Sequence, residues 1–175
     1  MKTKTTTQML MVSGFAACCW NSHGLAAGGV HCQEVGGGVL TNFLPTDSPA
    51  CASSFHNLCT EGTSTGDIRG GVGVAILGAT SGPNGTTVYH VQHHWVTDSG
   101  DAIFLKDASL TAFPTPDPNR VLADYLNGVE LMGGTGRFDG ATGSFPSVFG
   151  AADLSLGQIT LRYAGTVCFP NAKGP

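Results

Sequence analysis

Apolar and polar positions alternate most cleanly at the C-terminal end of the chain. Ile159, Leu161, Tyr163, Val167 and Phe169 interleave with Gln158, Thr160, Arg162, Thr166 and Cys168. Residues 158–169 therefore read as a strand with one face buried and the other wet. Similar short runs recur upstream, separated by turn signals. Residues 58–65 form one run, ended by Gly66. Residues 67–77 put Ile68, Val72, Val74 and Ile76 on one face and glycines on the other. Residues 86–97 are the most aromatic and β-branched, and residues 101–113, 122–132 and 144–154 complete the set. Asn84-Gly85 is a hairpin signal, and Asp98-Ser99-Gly100 marks another turn. The prolines within residues 113–120 keep that segment out of any central strand, because each lacks a ladder donor.

This rhythm predicts an all-β domain. Seven or eight strands leave costly open edges unless the sheet closes or folds into a sandwich. The expectation is a single antiparallel closed β-barrel of about eight strands. Residues 28–57 show no sustained period and read as a loop-rich lead-in. The chain thus divides into a signal peptide (1–27), the lead-in (28–57), the barrel (58–170) and a short tail (171–175).

The first segment reads as an address. Lys2 and Lys4 precede an apolar stretch over residues 9–17, followed by a polar step and the small residues Ala26 and Ala27. That order describes a secretory signal peptide, and the stretch is shorter than the roughly 20 residues a bilayer span needs. Cleavage near Ala27 would place the mature chain outside the cell or in a periplasm. A rival route treats Phe15-Ala16-Ala17-Cys18 as a lipoprotein signal, with Cys18 lipidated. Cysteine arithmetic weighs against it. Cleavage after Ala27 leaves Cys32, Cys51, Cys59 and Cys168, an even set suited to an oxidising compartment. Of the three pairings these allow, Cys51–Cys59 with Cys32–Cys168 is favoured. The first closes a short polar loop, and the second ties the lead-in to the wet face of the last strand.

Composition narrows the function classes. The chain has 175 residues, 26 of them Gly and 9 Pro, with 41% hydrophobic and only 11% charged side chains, which argues against disorder. Its net charge is −4, and loss of Lys2 and Lys4 on cleavage would make it −6. With no basic cluster anywhere, nucleic acid and anionic membranes are poor partners.

Residues 133–145, GGTGRFDGATGSF, resemble the GGTG-x-F-x-x-A-x-G signature of plant dirigent proteins and the related turn of allene oxide cyclases. Gly150, Asp153-Leu154-Ser155, Gly157 and the closing YAGTVC resemble secreted bacterial proteins of the same barrel superfamily. The resemblance covers the last third of the chain well and the rest only in rhythm. It implies an eight-stranded barrel whose cavity can take a small hydrophobic molecule without a cofactor. The amino-terminal dirigent motifs and the epoxide-orienting residues of the cyclases have no counterpart here, so no catalytic residue carries over.

Candidate chemistry centres on Tyr89-His90-Val91-Gln92-His93-His94-Trp95. A metal is disfavoured, because His90 and His94 lie about 13 Å apart along a strand and His93 points the other way. Tyr89, Val91, His93 and Trp95 share the more apolar face, which predicts His93 as an inward polar group among aromatics. His93 is the best candidate for a general acid/base or a ligand hydrogen-bonder; the bland alternative is a core histidine satisfied by a neighbour. Tyr89, His93, Trp95 and Tyr163 are the expected ligand-lining residues. Arg137 and Asp139 are expected to hold the glycine-rich turn. Three functions follow as expectations: a secreted barrel binding a small hydrophobic or aromatic molecule, a cofactor-independent cyclase or isomerase, and a structural barrel with a packed interior.

Overall fold

A computed structural model describes residues 29–170; the expected signal peptide, Cys18 and the tail lie outside them. The strands are β1 (Val30–Phe43), β2 (Cys59–Gly66), β3 (Gly70–Ser81), β4 (Thr87–Thr97), β5 (Ala102–Leu105), β6 (Ala108–Pro114), β7 (Arg120–Asp124), β8 (Val129–Gly134), β9 (Thr142–Asp153) and β10 (Gln158–Pro170). All pairings are antiparallel, and β10 meets both β1 and β9, so the sheet closes on itself. β5 and β6 both pair with β4, and β7 and β8 both pair with β9. Each couple is one broken wall position, which makes the molecule an eight-stranded closed barrel.

Two expectations about the strands are corrected. The stretch read as a loop-rich lead-in contains β1, which pairs with β10 from Val30↔Pro170 to Asn42↔Gln158 and with β2 on its other edge. Only residues 44–58 are irregular, with two short 3₁₀ turns. The runs 101–113 and 122–132, read as unbroken strands, are each interrupted, at Lys106-Asp107 and at residues 125–128. The Asn127-Gly128 step turns there, with Gly128 at φ 66°.

Parity places the core. Val35, Val39, Val72, Val91, Trp95, Leu131, Phe145, Leu161, Tyr163 and Val167 all point inward and are buried. One glycine is needed for this interior. A Cβ at Gly37, which also faces inward, would collide with the Thr65 carbonyl and sit 2.6 Å from the Tyr163 hydroxyl. The missing side chain is the room the Tyr163 ring occupies. In the glycine-rich turn, Gly136 adopts φ 56°, and a side chain there would strike the Asp101 carboxylate. Arg137 lies over the Phe138 ring at 4.7 Å, and Phe138 packs on Phe169.

Both expected disulfides are present, Cys32–Cys168 and Cys51–Cys59. Cys32 is not in a segment outside the barrel, as expected, but directly opposite Cys168 on the paired strands β1 and β10. Two disulfides point to an oxidising compartment. Among the described residues, no helix is long and apolar enough to cross a membrane.

The Cys32–Cys168 bridge links residues 136 positions apart, so it restricts the unfolded chain strongly. The double variant Cys32→Ser/Cys168→Ser should lose about 2–4 kcal/mol of stability in urea titrations. Non-reducing peptide mapping of the parent protein should recover the two bridged peptides and no free thiol among these four cysteines.

Candidate functional site

β4 brings Tyr89, Val91, His93 and Trp95 to the inner wall, as the alternation predicts. His93 and Trp95 border one interior void, and Tyr89 lies outside it. Val91, fully buried, separates Tyr89 from His93. Tyr89 lies opposite Leu110 and Ala79 at the half-buried end of the barrel. Trp95 and Tyr163 belong to the closed part of the interior. Their rings meet edge to face at 5.3 Å, and Phe145 completes the cluster at 6.3 Å from Trp95 and 5.8 Å from Tyr163.

Tyr163 is a structural pin. Its hydroxyl accepts from the Ile68 amide at 3.2 Å and donates its one proton toward the Thr65 or Ile68 carbonyl, at 3.1 and 3.2 Å. It thereby ties β10 to the turn between β2 and β3. Burial raises the pKa of its phenol, so it stays neutral.

His93 is the chemically distinctive group. Its Nε2 lies 2.9 Å from the Tyr125 hydroxyl, with the two rings tilted 43°. Its Nδ1 is shut off from solvent and has no partner, and the same is true of the Trp95 Nε1. Burial lowers the His93 pKa to about 4; the Asp107 carboxylate pulls it back up and His94 adds a smaller downward push. Burial also pushes the Tyr125 phenol well above its ordinary value. Near neutral pH the pair is an uncharged imidazole and an uncharged phenol.

The two breaks in the wall frame this pair. β4 pairs with β6 as far as Val91 and with β5 at Trp95 and Val96, leaving residues 92–94 opposite the Lys106-Asp107 interruption. Tyr125 sits at the start of the neighbouring interruption, its amide bonded to the Val148 carbonyl. A seam thus crosses two adjacent wall positions, with His93 and Tyr125 joined behind it. Sequence reasoning misses Tyr125 because residues 122–132 read as one unbroken run. Asn127-Gly128 was the signal that could have located the turn beside it.

The enclosed space is small. A void of about 40 Å³ lies between Val72, His93, Trp95, Tyr125, Phe145 and Tyr163, so it brings together three of the expected lining residues, His93, Trp95 and Tyr163, and leaves out Tyr89. No set of three His, Cys, Asp or Glu side chains able to hold a metal occurs among the described residues.

The depressed His93 pKa couples to stability. Between pH 6.5 and 4 the unfolded chain binds a proton that the folded protein refuses, so stability falls as pH drops through that window. A shift from 6.5 to about 4 corresponds to about 3 kcal/mol lost by pH 4, at about 1.4 kcal/mol per unit. Urea titrations across this range should show the loss, and His93→Gln should flatten the slope. An unchanged slope in that variant would mean that His93 is not buried in its neutral form.

No protein-family model and no curated protein matches this chain. Among solved structures it is similar to a pterocarpan synthase dirigent protein, at 10% identity and a TM-score of 0.34, over 83% of this chain and 89% of the other.

Proposed function

We propose that the protein is an exported, disulfide-stapled β-barrel whose interior is a hydrophobic core and whose role is exercised at its outer surface. One magnitude carries this reading. The interior void is about 40 Å³, against roughly 300–1,000 Å³ for pockets that enclose a drug-sized molecule. A cavity able to take benzene is roughly 150 Å³. Eight strands enclose a space that side chains can fill, and here Trp95, Phe145 and Tyr163 occupy it. The paired cysteines and the leader-like residues 1–27 support export.

A second reading keeps a small hydrophobic or aromatic ligand inside, with His93 fixing its orientation and Tyr89, Trp95 and Tyr163 around it. One observation favours it. The His93 Nδ1 and Trp95 Nε1 are buried without partners, and each such group costs about 1–3 kcal/mol that a ligand's polar atom would offset. Binding this way requires the Trp95 cluster to move aside. A cyclase or isomerase would also need His93 to act as a base from its neutral state, through the seam beside Asp107.

Trp95→Ala separates the readings. In a packed core it should cost about 3–5 kcal/mol, with no small molecule extracted from the purified parent protein by solvent and seen by mass spectrometry. A loss below about 1 kcal/mol, with a stoichiometric aromatic compound in the extract, would establish the ligand reading instead.

A further inference from the structure

A hollow of about 700 Å³ lies on the outer wall, across β2, β1, β10 and β9. Register explains its form. Thr65, Gly38, Arg162 and Phe149 lie side by side on successive strands, and Leu40 and Thr160 are paired in the next outward row. Gly38 leaves the floor as bare backbone, while Leu40 and Phe149, 42% and 51% exposed, stand as apolar walls. Arg162 is the sole charged residue of the lining. Among the described residues no carboxylate lies within 4 Å of its guanidinium, although the other ion pairs of the surface, such as Lys106–Glu130, are made.

We propose that this hollow binds a small, free, planar aromatic anion. The inference rests on the reading that the barrel acts through its outer surface. A guanidinium presents a planar fork that matches a carboxylate or sulfonate in two parallel hydrogen bonds. Its neighbour Phe149 offers a ring for stacking, and the flat backbone at Gly38 admits a flat partner. On a chain with net charge −4, one arginine between apolar walls selects for an anionic group attached to a hydrophobic body. Thr65 donates its hydroxyl proton to the Gly38 carbonyl, which leaves Thr63 and Thr160 as the hydroxyls of the lining able to donate to the anion's remaining oxygens.

The probe is 1-anilinonaphthalene-8-sulfonate, titrated into the full, disulfide-bonded protein at neutral pH. The expected result is one saturable site per chain, displaced by 2-naphthoate and not by the neutral 2-naphthalenemethanol. Arg162→Gln removes the charge-assisted bonds and should weaken binding about tenfold. Gly38→Val fills the floor and should abolish it. Both positions face outward, so near-UV circular dichroism should keep the parent's core signature in each variant; Gly38→Val brings a Cβ to 3.3 Å from the Thr65 hydroxyl, so its melting temperature shifts without loss of the fold. Binding that survives both substitutions, or equal displacement by the neutral alcohol, would overturn the proposal. A failure of the packed-interior reading is distinguishable, because it would show as probe binding lost in Trp95→Ala and kept in Arg162→Gln.

Discussion

A closed barrel of eight strands must fill the space it encloses with the side chains that its own alternation points inward. That constraint governs the rest of this molecule. Trp95, Phe145 and Tyr163 meet it with three rings in mutual contact, and Gly37 meets it by omission, since any side chain there would displace Tyr163. The same requirement leaves a void of only about 40 Å³. Filling and binding compete for one volume, and filling has taken almost all of it.

Closure has a second requirement, that every edge be paired. β1 is paired with β10 from Val30 to Asn42 and with β2 from Gly37 to Phe43, and the Cys32–Cys168 bridge fastens the closing pair. One departure is the seam where two adjacent wall positions break. Its inner side is held by the bond between His93 and Tyr125, with the Lys106 amide bonded to the Glu130 carbonyl beyond it. A neutral histidine is suited to that task. Deep burial denies it a proton at ordinary pH, so it bonds to a phenol without bringing a charge into the core.

Much of this was legible in the sequence, and the failures share a physical cause. The strand over 158–169 and the inward face of β4 were readable because large apolar side chains marked one parity. β1 was not, because Gly36, Gly37 and Gly38 erase the pattern at its centre and its partners arrive from distant segments of the chain. The breaks at Lys106-Asp107 and at residues 125–128 were hidden for the converse reason: apolar residues on either side preserve an apparent period across them. The face carrying Tyr89, His93, Trp95 and Tyr163 was legible. That Val91 would divide it was not, since parity assigns a side chain to a face and not to a depth. The hollow beside Arg162 was invisible for a related reason, because its residues come together only through the register of four strands.

The most direct test of the packed interior is a crystal structure of the disulfide-bonded protein under xenon pressure. A filled barrel takes at most one xenon site, within the void between Val72, Trp95, Phe145 and Leu161, with the aromatic rings unmoved. A chain of xenon sites running past Val91 to the half-buried end at Tyr89 would contradict it, as would an ordered organic molecule in their place.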